Sequence, residues 1–476
     1  MQGTLSNWVT SLVSQRYAES QKSKISNRIW DLYLNDALSH GIIENAVQVV
    51  NTGITPQPQP MLSWLNKDMA WQEEYQRKMY DIFEIWGLDC RNFCDTTGRC
   101  NIYMLQALAM FYWKLTGIAV FQVVKKDSKL FDRPLSLSIL PIDSSRLYTP
   151  VDSNMSDNIF DGIEVDKNGE IIAGWFKKTV YSFTKKECRR IPAFDSKTKL
   201  PNLLFVCDVR NISEYRQDGI LTSMIKEIRD SNDFVDASLV KALIQNLWTI
   251  FVESDYTPNK NNSSLSWDDR IREMEKGTMI EGYLGEKPHF LTSTTPSQSY
   301  NIMNDSIIQR LGIATGRGGE NIAKAYNSNY SASRAVIEEA GKFDDYDRMV
   351  LVNRFCQPIN MLMQYEAVLQ GLVNVKVSDF IENIYAYTRT DWLPPKKRPI
   401  DHEKEAKSDS LRIQNKTKSY SDIYGEKSMD WRAALRQQAI EKRYIKDLEE
   451  EFGIDMQHNM ETITVKKIDE TTPEGG

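Results

Sequence analysis

Paired cysteines, clustered histidines and an excess of positive charge are all missing from this chain of 476 residues. The six cysteines form no framework of the small secreted type and no signal peptide is recognisable, so we expect a reducing compartment. Cys90, Cys94 and Cys100 lie close together, but they lack the paired CxxC spacing of zinc sites, which argues against a bound metal. The four histidines are widely scattered: His40, His289, His402 and His458.

The net charge of −6 and the isoelectric point of about 5.6 exclude a broad basic face that coats DNA. They do not exclude a protein that surrounds DNA and lets it slide, because strong phosphate binding would then act as a brake. The length predicts roughly three domains, and an apolar content of 41% is enough for a large core.

Long apolar runs are scarce, and the only candidate for a membrane span is Ile102–Val124. It has the required length of about 20 residues, but Lys114 interrupts it and Gly117 divides it. We therefore expect a buried helix followed by a strand at Ile118–Val124, in a soluble chain without membrane contact.

Catalytic motifs are also absent. The segment Gly316–Gly319 lacks the GxxxxGK[ST] arrangement of a phosphate-binding loop, and it follows a helical pattern rather than a strand. Asp344, Asp345 and Asp347 raise the alternative of a metal-dependent nuclease, but on a helix they do not all share one face. Because no nucleophile and base are paired, we predict a protein that is not an enzyme and needs no cofactor.

The start of the chain is polar. Residues 1–28 indicate a mobile or partner-ordered arm. Apolar spacing then predicts two helical segments with a break at Gly41. Three alternating prolines next exclude regular structure, at Pro56, Pro58 and Pro60.

A helix-rich block at Trp64–Leu115 follows, with one apolar face formed by Trp71, Tyr75, Met79, Phe83 and Trp86. An antiparallel sheet completes the first half of the chain. Alternating apolar residues predict short strands at Leu135–Ile139 and Leu203–Cys207. Between them, Lys167–Gly169 is the turn of a predicted hairpin, since Asn-Gly between alternating runs favours one.

The second half begins with the longest helical pattern, Ile220–Glu253, which would extend about 50 Å at 1.5 Å per residue. The alternative is two shorter helices with a break near Asp230–Asp233. A compact insert with two strands follows at Tyr256–Pro296, and a return helix is predicted at Tyr300–Leu311.

A glycine-rich loop then separates the return helix from a long helix. Leu311–Arg334 carries two basic residues and little that could be buried. The next helix, Ser331–Leu369, should be kinked by Pro358. Charged helices are predicted at Asp401–Lys416 and Asp430–Phe452, and the last residues lack the apolar content of a folded segment.

Five short motifs follow one another in a fixed order. They are Asp31–Asn35 with Val49–Ile54, Leu105–Gly117, Leu140–Leu147 with Gly162–Gly169 and Ala173–Trp175, Tyr215–Gly219, and Leu311–Ile313 with Asn329–Arg334. In this order and spacing they resemble the lambda family of bacteriophage portal proteins, the head–tail connectors that form a ring at one vertex of a tailed-phage head. The resemblance covers most of residues 30–450.

The sequence departs from the family pattern at three places. Ile118 follows Gly117 where the family usually has Glu, and Gln217-Asp218-Gly219 replaces Gln-x-Arg-Gly. Ala314 stands where a proline is usual. These differences concern local contacts at those positions.

The resemblance implies an α+β portal fold with a helix/sheet wing, a long-helix stem, a small α/β clip and a helical crown, in a closed ring. The implied segments are an N-terminal arm at 1–28, the wing at 29–219, the stem helix at 220–255, the clip at 256–296, the stem return helix at 297–313, the tunnel loop at 314–330, a wing or backbone helix at 331–395, the crown at 396–454 and a disordered tail at 455–476.

The function implied by the resemblance is structural. A homo-oligomeric ring, usually of twelve subunits, would pass double-stranded DNA non-specifically during genome packaging, translocation and ejection. It would dock the terminase, then neck and tail adaptor proteins, and contact the major capsid protein. It would belong to the virion, at the capsid portal vertex, after assembly in the host cytoplasm. The alternative is another non-catalytic ring or scaffold protein of a phage head.

Candidate site residues follow from this map. We expect Arg317 and Lys324, carried by the loop that contains Gly318 and Gly319, to approach phosphates in the channel. The alternative is that both cations are solvated, or pair with Glu320 or a neighbouring subunit.

Two further groups are candidates for protein contacts. Tyr330, Ser331 and Arg334 begin the next helix and are predicted at the subunit interface, with an ordinary first-turn role as the alternative. In the clip, the candidates for partner contact are Trp267, Arg270 and Arg272.

Overall fold

The protein is represented by a computed structural model that describes residues 15–127, 133–154, 158–179, 181–212, 214–246, 250–254, 286–290, 298–325, 330–396 and 402–453. The helices are α1 (Gln15–Asn35), α2 (Ala37–Val47), α3 (Leu62–Leu65), α4 (Met69–Phe83), α5 (Ile102–Thr116), α6 (Ile225–Asn246), α7 (Gln298–Thr315), α8 (Gly319–Ala323), α9 (Tyr330–Leu351), α10 (Gln357–Leu369), α11 (Val377–Glu382), α12 (Ile384–Thr388), α13 (His402–Gln414), α14 (Tyr420–Glu426) and α15 (Trp431–Phe452). The strands are β1 (Thr55–Pro58), β2 (Ala119–Lys125), β3 (Leu137–Ile142), β4 (Ile159–Phe160), β5 (Ile163–Val165), β6 (Ile171–Lys177), β7 (Cys188–Pro192), β8 (Leu203–Val206), β9 (Ile250–Ser254), β10 (Glu286–Phe290) and β11 (Thr390–Leu393).

The α+β class predicted from the sequence is confirmed, and the chain divides into two compact units. The first unit contains the described residues up to Lys24, then Ile43–Gly219, and those from Asp344 onward. The second contains Ile25–Ile42 and Ile220–Phe343. The finer division into arm, wing, stem, clip and crown stays a prediction. No helix in the described ranges is long and apolar enough to cross a membrane.

The core of the first unit lies between helices and a three-stranded sheet. The predicted apolar face of α4 is confirmed, because Tyr75, Met79 and Phe83 are all buried, as is Trp86 in the π turn that follows. The Trp86 indole donates to the Leu137 carbonyl at 2.9 Å. This bond joins the end of α4 to β3 inside the core.

Two antiparallel sheets confirm the predicted strands of the first half. One has the order β3–β2–β8, and Gln122 pairs with Leu140 on one side and Leu203 on the other. The second has the order β4–β5–β6–β7. Its β5–β6 hairpin closes through the predicted turn, where Gly169 has a φ of 86° that favours glycine.

The prediction that the prolines exclude regular structure is wrong for β1, which pairs with β11. Gln59 N donates to Arg389 O at 2.8 Å. Since donors alternate in direction along a strand, the N–H of Gln57 also points to β11, and Pro56 and Pro58 lie at positions whose nitrogens point away. Proline is tolerated in such a strand because the ladder loses no donor.

In the part of the predicted N-terminal arm that the structure describes, α1 is helical from Gln15. The predicted break at Gly41 is wrong, because α2 continues through it. The chain instead breaks at Asp36, whose Oδ2 accepts a bond from Ser39 N at 2.6 Å. Such a cap satisfies an N–H group that a helix start leaves without a partner.

The predicted long helix ends early. The helix α6 has 22 residues, a length of about 33 Å, and it passes Asp230–Asp233 without the alternative break. Beyond it, Ile250–Ser254 forms β9, which pairs with β10. The other residues of the insert and the predicted disordered tail lie outside the described residues.

The predicted kink at Pro358 takes the form of a π turn. Helices α9 and α10 are joined by Val352–Cys356, one turn before the proline. Proline cannot donate to the preceding turn and its ring crowds the carbonyl there, so a wider turn relieves both constraints.

The charged C-terminal region contains both predicted helices and one that the sequence did not suggest. The predicted helices are α13 and α15. The additional helix, α14, begins with a capping box in which Ser419 and Asp422 bond each other's backbone N–H groups. This Ser-x-x-Asp pattern is a sequence signal that could have been found.

Four of the motifs meet around α5. The Gln106 side chain accepts from Ile54 N and donates to Ile54 O, at 2.7 and 2.9 Å. At the other end, Thr116 Oγ1 lies 2.9 Å from Ser144 Oγ. A Cβ added to Gly117 would lie 1.8 Å from Gln217 O. The helix thus supports segments that are far apart in the sequence.

A buried ion pair makes the core of the first unit testable. Lys114 Nζ lies 2.6 Å from Asp347 Oδ1, with side chains only 12% and 10% exposed. We predict that Lys114→Met lowers the free energy of unfolding by about 3–5 kcal/mol, because it leaves a buried carboxylate without this partner. Chemical denaturation measures the loss.

The matched control is Lys78→Met, which removes an exposed pair with Glu74 on α4. Its expected cost is below about 1 kcal/mol. Equal losses in the two variants would contradict the structural role of Lys114.

Candidate functional site

The predicted tunnel loop is a tight helix–turn–helix rather than an open loop. The chain leaves α7 at Thr315, turns through Gly316–Gly318 and enters α8, which ends at Ala323 with Lys324 as its C-cap. Lys324 has a φ of 51°, the left-handed conformation of a helix end. The prediction of a glycine loop over 314–330 is therefore wrong at Gly319–Ala323.

The glycines allow the two helices to touch backbone to backbone. A Cβ added to Gly312 would lie 2.2 Å from Gly319 N, and one added to Gly319 would lie 3.1 Å from Gln309 Cα. Gly318 N donates to Gly312 O at 3.2 Å. The glycines are therefore needed for close packing.

The outer side of the turn packs against α9. Gly316 has a φ of 71°, and a Cβ there would lie 2.5 Å from the ring of Phe343. Gly318 has a φ of 76°, and a Cβ there would lie 3.1 Å from Val336 Cγ1. A side chain at either position would strain the backbone and crowd a side chain of α9.

The two basic residues of the segment have different surroundings. Arg317 is buried, with 7% exposure, and its carbonyl accepts a bond from Asn321 Nδ2 at 2.9 Å. The expectation that this segment holds little that is buried is wrong here. Lys324 is exposed at the end of α8.

The turn lies at one end of a helix pair in the second unit. Arg310 Nη2 on α7 lies 2.8 Å from Glu227 Oε1 in the first turn of α6. Ile228 and Leu311 are buried near this ion pair. The end of α7 therefore packs against the start of α6, at the end of α6 opposite to β9.

The other predicted site residues are only partly covered by the structure. Arg334 Nε lies 3.1 Å from Glu338 Oε1 on the same helix, and both side chains are more than half exposed. Tyr330 and Ser331 belong to the first turn of α9. The clip candidates Trp267, Arg270 and Arg272 lie outside the described residues. All six stay predictions.

Residues of the acidic and cysteine clusters form ion pairs or are buried. Asp347 pairs with Lys114, and Asp345 pairs with Arg348. Burial raises the pKa of the Cys94 thiol to about 12, so it stays protonated at neutral pH. Within the described ranges, no group of three or more His, Cys, Asp or Glu side chains could hold a metal ion.

The glycine packing can be tested by adding one methyl group. We predict that Gly312→Ala destabilises the protein and separates α7 from α8, because a Cβ would overlap the Gly319 backbone. Gly341→Ala is the control, since Gly341 lies in α9 with no atom within 4 Å of an added Cβ. That change should stabilise by up to about 1 kcal/mol. Thermal denaturation that shows the same shift for both would contradict the packing role.

Comparison with known proteins identifies the family. The model described as phage portal protein, lambda family, matches residues 2–346, which confirms the resemblance seen in the motifs.

Solved structures also align with the chain. They include the virion of a native gene transfer agent particle, at 8% identity and a TM-score of 0.42, and the neck of the empty particle computed with C6 symmetry, at 10% and 0.46. Each alignment covers 86% of this chain and 94% of that chain. An HK97 family phage portal protein from Corynebacterium diphtheriae aligns at 12% identity, 50% of this chain, 67% of that chain and a TM-score of 0.26.

These structural scores are low, so the assignment rests on the match to the family, which extends over most of the chain and includes all five motifs. The chain belongs to the lambda family of phage portal proteins, and it is a structural protein of the virion that connects head and tail.

Proposed function

We propose that twelve copies of this chain assemble into a closed ring that passes double-stranded DNA during packaging and ejection. The ring lies at the capsid portal vertex in contact with the major capsid protein, after assembly in the host cytoplasm. It docks the terminase first and the neck and tail adaptor proteins later. The chain acts as a structural protein rather than an enzyme.

The observation that supports ring assembly is a solvent-exposed apolar surface in the second unit. On α6, Ile228 is buried, but Leu239 and Leu243 on the same face are 59% and 56% exposed. On α7, Leu311 is buried, but Met303 is 48% exposed. Such extended apolar faces favour protein contact, and a second copy of the chain would cover them.

Lys324 is the residue that would contact the DNA. Its ammonium group is exposed at the end of a rigid turn, and repetition around a ring would give one positive charge per subunit. Arg317 is buried, so it supports the turn from inside. A single exposed lysine per subunit is suited to phosphate contacts, which do not depend on DNA sequence. Such weak contacts would still let the DNA slide.

Two groups of predicted contacts remain part of the proposal. Tyr330, Ser331 and Arg334 would contact the neighbouring subunit. In the clip, the residues that would meet partner proteins are Trp267, Arg270 and Arg272.

The ring is tested by placing a charge on the apolar face of α6. Electron microscopy of the purified protein is expected to show rings with a central channel, and Leu239→Asp is expected to abolish them. Lys241→Asp is the control, because Lys241 points away from Leu239 at about 100° per residue. A protein that stays monomeric without any substitution, or rings that tolerate Leu239→Asp, would refute the assembly.

The DNA contact is tested by Lys324→Ala in a packaging assay that measures nuclease-protected DNA per head. We expect fewer filled heads, because each subunit loses its cation at the channel. The control is Lys342→Ala, another exposed lysine of the second unit. Normal packaging and retention of DNA in the Lys324→Ala variant would refute this contact.

A further inference from the structure

The last described helix, α15, bonds to the rest of the first unit through its first half, where Gln438 Nε2 donates to Tyr424 OH at 3.1 Å and the start of the helix makes further contacts. Asp430 caps it by accepting from Arg432 N, and the same carboxylate accepts from Gln57 Nε2 at 3.1 Å. Arg432 Nη1 donates to Gln76 Oε1 at 2.6 Å. Beyond this attachment, no side chain of the 22-residue helix is buried.

The cations of α15 are gathered on one side. At about 100° per residue, all five cations fall within a sector of about 120°. Arg432 is already bonded to Gln76, which leaves four exposed cations, here called the basic stripe: Arg436, Lys442, Arg443 and Lys446. Only one carboxylate, Glu450, shares the sector, and its Oε1 lies 3.8 Å from Lys446 Nζ.

The other three cations have no counter-ion of their own. Across the described parts of the chain, no carboxylate forms an ion pair with Arg436, Lys442 or Arg443. The acids of α15 do not form a matching stripe either, because Glu441, Asp447, Glu449 and Glu451 are spread around the helix at about 100° per residue. A second copy of α15 therefore offers no complementary acidic surface.

The chemistry of the sector fits the backbone of duplex DNA. The basic stripe extends over about 15 Å, a length in which a duplex presents about nine phosphate charges. Ala439 lies between Arg436 and Arg443, and its small side chain leaves room for the DNA backbone to approach the helix. The sector contains no aromatic side chain to stack on bases and no amide to read them, which argues against single strands and against sequence recognition.

We propose that the basic stripe of α15 is a second DNA-binding site, which holds the phosphate backbone of double-stranded DNA without sequence preference. It is distinct from Lys324, which belongs to the other unit. The inference rests on the proposed function, because a portal meets duplex DNA, and it adds a contact beyond the channel.

The test measures binding of random-sequence duplex DNA to the purified full chain by fluorescence anisotropy, at several salt concentrations. The variant Arg436→Gln/Lys442→Gln/Arg443→Gln is expected to bind roughly 10-fold more weakly at low salt. Its plot of log affinity against log salt should be shallower by about 0.9 for each phosphate that is no longer neutralised. Glutamine has nearly the helix propensity of lysine and arginine, so circular dichroism should be unchanged.

The matched control removes the same charge elsewhere. Lys167→Gln/Lys178→Gln/Lys186→Gln alters three exposed lysines of the first unit and should leave affinity and slope unchanged. Equal losses in both triple variants would show that only net charge matters, and an unaltered slope in the stripe variant would also overturn the proposal. If the stripe variant does not fold, Arg443→Gln alone should reduce the slope by about 0.9.

Electron microscopy of the same samples separates this inference from the ring. Loss of rings in the stripe variant with an unchanged DNA slope would assign the stripe to subunit contact and overturn the inference. Rings with a channel and an unchanged slope would refute the DNA site and leave the portal function standing. Absence of rings in the unsubstituted protein would refute the proposed assembly itself.

Discussion

Close contact between backbones is the constraint on which the arrangement of this protein depends, and glycine is the residue that permits it. A Cβ on Gly219 would lie 2.0 Å from Leu115 O, and one on Gly117 would lie 1.8 Å from Gln217 O. These two contacts hold the end of α5 against the last motif of the first unit. In the second unit Gly312 and Gly319 do the same for α7 and α8. Any side chain at these positions would force packed segments apart.

The proposed DNA contacts involve few of the cations of a chain whose net charge is −6. Lys324 and the basic stripe of α15 offer only a few exposed cations, on two different units. Contacts of this kind hold a polyanion by its phosphates, and each one weakens as salt rises. A few local cations on an acidic protein therefore fit a DNA that is guided and must still move.

The exposed apolar faces of α6 and α7 would tie stability to assembly in the proposed ring. Leu239 and Leu243 would remain in water in an isolated subunit, and burial of a leucine contributes about 1.5–3 kcal/mol. In the proposed ring, the stability of the second unit would therefore depend on protein concentration. The first unit has a buried core of its own, which includes Tyr75, Met79 and Trp86.

The sequence by itself determined the elements that local chemistry controls. Asn168-Gly169 specified a hairpin, apolar spacing specified α4 and α5, and Pro358 specified an interruption, because turn geometry and periodicity act over a few residues. The order of the motifs also sufficed to predict the family. The tertiary structure decided the rest. The strand β1 pairs with β11, which lies far along the chain. The predicted long helix ends before β9, which pairs with β10, and Arg317 is buried. Those outcomes depend on segments distant in sequence that meet only after folding, so no local pattern contains them.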